Sequence, residues 1–480
     1  MKDKGFAILG SGMAGFGAAN FLYGQGIRPR LYDQRSRPGG LTSSYDFGDG
    51  FVFDEGVHIS FSKNDSIKKL FAESTAQKYE TGNVYCNNYW KGHWIKHPAQ
   101  VNLHGLPINL VVDCIRDFVE ASKVEAPTIN NYQDWLIAAF GKTFAETFPM
   151  VYARKYHTTE AANMTTDWLG PRLYRPNLEE VLRGALEHEP LDVFYVNEFR
   201  YPTEGGFESF IKGFYSKADI HCDHEVVQVD MREKTLLFKH GQSTSFERLI
   251  SSIPLPKLIP LIADVPADVR EAASRLACSQ FVVVNIGINR PIDVKPQWSY
   301  FYDEDIPFAR VSYRGNLSPR NVPPGCGALQ AEVYFSEKYR PLRGHPDDWI
   351  EPTIDALIKC GVLANRSEVI HKSTIWSPFG NIIFDLDRTE AVKTVHGFLR
   401  DIGINYCGRF GEWGYIWTDH AFMSGENAAK ASLRASSRET TSEDIALGDL
   451  RENAVDNHSS VKARNKHGPI TQSAVRTKQA

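Results

Sequence analysis

GFAILGSGMAGFGAANFLYGQGIRPRLYDQRSRPGGLTSS, residues Gly5 to Ser44, is the stretch from which the fold of this 480-residue chain is read. Phe6 to Leu9 is a short apolar run that reads as a buried strand. It leads into Gly10-Ser11-Gly12-Met13-Ala14-Gly15, a G-x-G-x-x-G turn, then a helix-forming run to about Gly24 and a second strand, Arg30 to Tyr32, ending at Asp33. Gly10 permits the tight turn, Gly12 lets a pyrophosphate approach the backbone, and Gly15 lets helix and sheet pack closely. The helix start at Met13 and Ala14 offers unpaired N–H groups and a partial positive charge to phosphates. Asp33, 23 residues beyond Gly10, stands where a carboxylate meets a ribose hydroxyl. Glycine-rich turns alone are common; the ordered set of strand, glycines, helix, strand and acid points to a dinucleotide-binding, Rossmann-like α/β unit.

Directly after it, Arg37-Pro38-Gly39-Gly40-Leu41 resembles the R-x-G-G-L stretch of FAD-dependent amine oxidases and their relatives. In those proteins the stretch runs beside the same pyrophosphate, which implies FAD, bound without a covalent link.

The bulk numbers narrow the field. Lys plus Arg is 54 against 58 for Asp plus Glu, a net charge of −4, which argues against a nucleic-acid partner. Seven cysteines are scattered with no C-x-x-C pair, so disulfide frameworks and zinc ribbons are not expected. His221, Cys222 and His224 are close in sequence, but neighbours on a strand edge are poor geometry for closing a metal site. No apolar run approaches the roughly 18 residues that span a bilayer, and no signal peptide precedes the first strand; a cytoplasmic protein is expected.

Further stretches organise the rest of the chain. Phe51 to Phe53 is strand-like and Gly56 breaks it, placing His58 in the loop that follows. Tyr89 to Asn102 reads as a hairpin turning at Lys91-Gly92. Leu106 to about Leu186 is mainly helical, with Ile108, Val111, Val112, Ile115 and Val119 on one face. A helix is expected over Phe207 to Tyr215, then a meander of Val226–Val229, Thr235–Phe238 and Leu249-Ile250, and a second sheet from Phe281 onward. A last helix is expected from Ala421 to about Arg434, and residues 436–480, rich in polar and charged residues, are expected to be disordered.

Together these stretches resemble one family, the flavin-dependent nucleotide-sugar mutases typified by UDP-galactopyranose mutase, in its eukaryotic type. The resemblance runs to about residue 430 and rests on Gly56-Val57-His58 (G-x-H), Trp94 to Asn102 (W-V-P-Y-P-F-Q-N-N), Trp168-Leu169-Gly170-Pro171-Arg172 (W-L-G-E-R), Trp298 to Phe301, Pro307 to Arg310 (P-F-Y-R), and above all Gly408 to Gly425. It implies a three-part fold: an FAD domain assembled from residues 1–100, 201–275 and 401–435, a helical domain over 101–200, and a mainly antiparallel substrate-binding sheet domain, six-stranded in the family, over 276–400. It implies a nucleotide-sugar substrate and chemistry without net redox change, in which N5 of a reduced flavin attacks the anomeric carbon while the nucleoside diphosphate leaves and returns. The resemblance leaves open the flavin reductant, for which NADPH is one candidate, and the oligomeric state.

Carried across residue by residue, the resemblance makes His58 the histidine of a mobile loop near flavin N5, and Arg172, Arg310 and Tyr415 the diphosphate contacts. Gly39, Gly40, Leu41, Gly408, Arg409, Asp419, Phe422 and Met423 join the cofactor set. His97, Gln100, Trp298, Tyr300 and Asn381 fall at substrate positions. Three residues depart from the family: His97 and Ala99 replace a tyrosine and a phenylalanine that hold uracil, and Asn381 replaces a diphosphate tyrosine. Lost aromatic stacking weakens the case for UDP in particular. Two competing functions stand beside the mutase: an FAD-dependent oxidoreductase of the amine-oxidase or protoporphyrinogen-oxidase type, with Trp413, Tyr415 and Trp417 as an aromatic wall, and a flavin-binding protein whose site no longer turns over.

Overall fold

A parallel sheet is built around the opening unit in the computed structural model, which describes residues 5–187 and 193–438. Strand β1 (Phe6–Leu9), fully buried, leads into helix α1 (Met13–Gly24), and β2 (Arg30–Tyr32) returns beside β1. The full order is Asn405–Tyr406, Arg248–Ser251, β1, β2, Asp219–His221, every neighbour parallel. Three of the five strands thus come from beyond residue 200. Arg248–Ser251, expected as part of the meander, pairs with β1 instead. The meander's third strand is Ser243–Ser245, short and polar, which the sequence pattern does not reveal.

The second sheet has seven strands: Val369–Ser377, Gln280–Ile288, Gly327–Phe335, Arg310–Tyr313, Trp298–Phe301, Cys86–Trp90 and His93–Lys96. All neighbours are antiparallel except Trp298–Phe301 with Cys86–Trp90. The expected hairpin therefore forms, and it extends the sheet of residues 276–400 to seven strands where six were expected. Alternation along Gln280–Ile288 sends Val282, Val284, Ile286 and Ile288 into one core with Phe301 and Phe308, and Phe281 and Val283 into another with Phe51 and Phe53. Both faces are covered, which is why the strand reads as a continuous apolar run.

Helices fill residues 108–186, beginning with Ile108–Ser122, whose Val111, Cys114 and Phe118 face the core while Ile108 and Val112 are exposed. Two other helices depart from expectation. Phe207 to Tyr215 contains only the short helix Ser209–Lys212, and the last helix is Thr418–Arg438, starting earlier than Ala421. The expected tail lies outside the described residues from 439 onward. No helix among the described residues is long and apolar enough to cross a membrane.

Two contacts fix the site's frame. The last helix crosses α1 at bare backbone: a Cβ on Gly17 would lie 2.0 Å from Phe422 O, and one on Gly425 1.9 Å from Ala14 O. Fully buried Asp54 accepts bonds from Ser44 Oγ (2.6 Å), Tyr201 Oη (2.7 Å), Phe207 N (3.0 Å) and Arg314 Nη2 (2.7 Å), tying the glycine-pair loop to the second sheet. A buried charge so fully bonded specifies one geometry, and stripping a partner from it is costly.

Candidate active site

The Gly10–Gly15 turn and the Gly39–Gly40 turn meet backbone to backbone. Gly39 N donates to Ser11 O (2.9 Å), and a Cβ on Gly40, whose φ is +55°, would lie 3.1 Å from Gly12 Cα. Gly12 opens toward empty space, since its own Cβ would meet nothing nearer than Gly40 Cα at 3.8 Å. Gly12 also caps α1 with no side-chain bond, so the first-turn N–H groups face the opening. A cavity of about 360 Å³ lies there, lined by Gly10, Gly12, Met13, Ala14, Asp33, Gly40, Leu41, His58, Gly408 and Arg409 among others. A polar backbone cradle without side chains, at a helix start, fits a dinucleotide pyrophosphate.

Asp33 ends β2 as expected. Its Oδ2 accepts from Ser11 N (2.8 Å) and Ser11 Oγ (2.5 Å), and its Oδ1 accepts from Arg35 N (2.9 Å). The carboxylate thus braces the glycine turn as well as lining the cavity. A Cβ on Gly408, whose φ is +75°, would lie 2.7 Å from Ala14 Cβ, and the Gly408 N–H donates to Ser424 Oγ (2.8 Å). Five expected cofactor residues do not line the cavity. Gly15 is needed for packing, because its Cβ would sit 2.0 Å from Gly10 O; Gly39 holds the turn; Phe422 is fully buried among Phe71 and Phe214. Met423 Sδ accepts from Asn64 Nδ2 (3.4 Å), and Asp419 lies in the first turn of the last helix. His224 lines the cofactor cavity and packs against the rings of Tyr32 and His240, and among the described residues no group of three or more His, Cys, Asp and Glu could hold a metal.

A second cavity, about 300 Å³, shares Leu41, His58, Arg409, Trp417 and Thr418 with the first. It gathers His58, His97, Gln100, Arg172, Trp298, Tyr300, Arg310, Asn381 and Tyr415, residues spread over 358 positions of sequence. Arg172 and Arg310 sit in it very differently. The Arg172 guanidinium lies over the rings of Tyr415 (4.7 Å) and Trp417 (4.5 Å), and Nη1 and Nη2 donate to Trp168 O (2.7 Å) and Tyr415 O (2.5 Å). No carboxylate among the described residues pairs with it, and burial lowers its pKa. Arg409 is similar: it donates to Ile416 O (2.8 Å), Gly380 O (3.2 Å) and Asn381 Oδ1 (3.0 Å), again without a carboxylate partner among the described residues.

Arg310 is instead gripped by Glu332, through Nε to Oε2 (2.8 Å) and Nη2 to Oε1 (2.9 Å). Burial opposes its charge, and Glu332 more than reverses this, holding the pKa well above the usual arginine value. Glu332 also accepts from Tyr334 Oη (2.7 Å) and from Val57 N (2.9 Å), which docks the His58 loop against the arginine. His58 Nδ1 lies 3.3 Å from Gly56 O, and burial lowers its pKa, so the ring is neutral at pH 7. Tyr415 Oη is 3.2 Å from Tyr156 Oη; burial raises the Tyr156 pKa well above the usual phenol value. Trp413, expected in an aromatic wall, is fully buried in the core beside Phe410 and does not line the cavity.

Glu332, Tyr156, Tyr195 and Tyr334 also line this cavity and carry no motif that sequence reading used. Glu332 had a signal: a carboxylate in the middle of the apolar run Gly327–Phe335 demands a buried partner. Tyr156 lies in a π-helical turn, Ala153–His157, whose extra residue breaks the helical period.

The sequence profile of flavin-containing amine oxidoreductases matches residues 13–348. Among solved structures, a reduced UDP-galactopyranose mutase superposes with a TM-score of 0.85 at 25% identity, covering 91% of this chain and 97% of that one. A protein from Exiguobacterium sp. assigned as a protoporphyrinogen oxidase superposes at 0.69 and 14% identity, covering 90% and 100%; at that identity it shows the fold alone. A 15-cis-phytoene desaturase from Synechococcus elongatus is 31% identical over 87 residues, 18% of this chain. The match spans under a fifth of the desaturase's length.

Proposed function

The chain belongs to the flavin-containing amine oxidoreductase family and uses FAD, and from that premise we propose that it is a nucleotide-sugar mutase interconverting the pyranose and furanose forms of a sugar carried on a nucleoside diphosphate. The observation that carries the reading is Arg172. An amine oxidase needs its aromatic pair open to the substrate amine, whereas here Tyr415 and Trp417 cover a guanidinium that has no carboxylate partner among the described residues. A cation held in a partly dry cavity by carbonyls and rings suits a dianionic ligand and repels an ammonium. The overall likeness to a reduced UDP-galactopyranose mutase supports the same reading.

Bound and reduced, FAD would supply a nucleophilic ring nitrogen to the anomeric carbon. The protein's part is to steady the departing diphosphate. Arg172 and Arg409 offer positive charge without internal neutralisation, and Arg310 offers Nη1, its other nitrogens being engaged by Glu332. These donors are fixed before the reaction begins, so they stabilise charge without reorganising. Tyr152, Tyr156, Tyr300 and Tyr334 line the cavity as protonated phenols, their pKa values raised by burial, and exclude water from a leaving group that must return. Holding the nucleotide away from the reacting carbon keeps the sugar oriented through the exchange.

Activity should therefore need reduced protein but consume no reductant. Counting furanose product against dithionite oxidised under anaerobic conditions should give many products per reductant. Stoichiometric consumption of reductant, or of oxygen with an amine, would replace this reading with an oxidase of the amine-oxidase or protoporphyrinogen-oxidase type, the reading that the family profile by itself favours.

A further inference from the structure

We propose that the helical part of the chain carries a dimer interface, on which the helices Ile108–Ser122 and Leu178–Leu186 pack against the same two helices of a second copy. Fifteen large apolar side chains are exposed among the described residues, and five of them fall on these two helices: Ile108 (72%), Val112 (52%), Leu178 (40%), Leu182 (37%) and Leu186 (78%). The helices lie side by side and antiparallel. A shallow space of about 210 Å³ joins Phe118 and Ser122, near the end of the long helix, to Leu178 at the start of the short one. Toward the other end, Gly184 O accepts from His104 N, just ahead of Ile108. The long helix turns Val111, Cys114 and Phe118 to the core, and the short one Val181 and Gly184. The exposed apolar residues thus form a second face beside the first, and a contiguous apolar face on two helices marks a contact site.

The spacing of the face points to a copy of itself. On the long helix the seam is Ile108, Val112, Ile115 and Val119, at intervals of four, three and four, the spacing of a coiled-coil seam; Ile115 and Val119 are partly exposed. On the short helix Leu178, Leu182 and Leu186 follow at intervals of four. Both rows read the same backwards. Because Leu178 borders Phe118 and Ser122, Leu182, one turn on, stands beside the middle of the long helix, so one twofold axis across the helices serves both rows. About that axis Ile108 meets Val119 of the copy, Val112 meets Ile115, and Leu182 meets its own counterpart. The four helices close into a bundle with both apolar faces covered, which stops the assembly at two.

The charges beside the seam suit this occupant better than others. Asp113, Arg116, Glu120 and Lys123 alternate along the long helix, with Arg116 paired to Asp113 (2.8 Å) and Lys123 to Glu120 (2.7 Å). Glu179, Arg183 and Glu187 alternate along the short one, Arg183 pairing with both (2.9 and 3.0 Å). Four acids against three bases leave this rim nearly neutral, so a copy is not repelled. An anionic membrane surface asks for a basic rim, and a strongly acidic or basic protein would meet like charges along half of it. Fifteen residues at 1.5 Å each make the face about 22 Å long, and two helices make it about 20 Å wide, a footprint of roughly 440 Å² on each copy. Two such footprints fall below the roughly 1,200 Å² of stable complexes, so the dimer should come apart on dilution.

The test is sedimentation velocity on the FAD-loaded full chain between about 1 and about 100 μM, the range in which a weak interface of this size should titrate. The wild type should pass from one-chain to two-chain mass across it. Leu182→Glu and Leu182→Lys each set like charges against one another at the axis, so each variant should keep one-chain mass. An equal mixture of the two should recover the two-chain mass, which a damaged fold would not do. Leu182 lines neither cavity, so FAD content should match the wild type in both variants. Val112→Glu, further along the same face, should also keep one-chain mass and serves if position 182 does not accept a charge. A wild type of one-chain mass at the highest concentration overturns the proposal. So does a dimer that survives these substitutions, which would put the interface elsewhere, or a mixture that stays at one-chain mass, which would end the self-pairing of this face. Flotation of a one-chain wild type with phosphatidylcholine–phosphatidylserine vesicles, lost in Leu182→Glu, would give the face to a membrane instead.

Discussion

Gly12→Val is expected to give a folded protein that purifies colourless. The backbone at Gly12 is extended, with φ −86° and ψ −170°, so a β-branched residue is tolerated there. An added Cβ would meet nothing nearer than 3.8 Å, so the first carbon of the new side chain enters open space. What the isopropyl group fills is the space above the first-turn N–H groups, where the pyrophosphate must approach the backbone. Gly15→Ala is the contrasting variant: its methyl would lie 2.0 Å from Gly10 O, so it should damage the fold itself. Flavin absorbance per protein, far-ultraviolet circular dichroism and thermal melting on both variants separate the two effects. Gly12→Val should melt near wild-type protein stripped of FAD, having lost only the stabilisation that a bound ligand adds. A yellow Gly12→Val preparation with a full complement of FAD would mean that the pyrophosphate does not pass over Gly12.

That pair of variants also shows why the cofactor unit was legible. Where backbone must approach backbone or phosphate, the chain has no choice but glycine, and Gly10, Gly12, Gly15, Gly39 and Gly40 stand out in any reading. Asp33 was legible for the same reason, as the first polar residue after a buried strand. Non-local pairing leaves no such mark. Nothing in Cys86–Lys96 announces that its first strand runs parallel to Trp298–Phe301, more than 200 residues away. Arg248–Ser251 looks like a meander strand because the alternation of apolar residues is the same whichever sheet receives it. Phe422 reads as a cofactor contact from its motif, yet its place in the structure is a packing one: Phe422 fills the core while Gly425 lets the helices touch. In the second cavity the sequence pointed to Arg172 and Arg310 but not to the difference between them. That difference lies in Glu332, which stands directly opposite Arg310 on the neighbouring strand, 22 residues further on and outside every motif.

The same pair sets the largest catalytic expectation. Arg310→Ala should lower kcat/KM for a nucleotide sugar by about 10²- to 10³-fold, the effect of losing one preorganised donor, or about 2.7–4 kcal/mol. Arg310→Lys should restore only part, because an ammonium cannot make the two parallel bonds to Glu332 and still reach the ligand. The alanine variant removes more than a donor, however. It strands the Glu332 carboxylate, which is 1% exposed, beside the place where a diphosphate must sit. An unpaired buried charge is costly to the fold and repels the ligand at once. Arg310→Ala combined with Glu332→Gln should therefore be more active than Arg310→Ala alone, a positive coupling that two independent sites would not show. FAD content should be unchanged in all three variants, since neither residue lines the cofactor cavity. A double variant no better than the single one would mean that the Glu332 charge is not felt at the ligand. Full activity in Arg310→Ala would remove this arginine from the diphosphate clamp and leave Arg172 and Arg409 to carry the preference for a mutase over an oxidase.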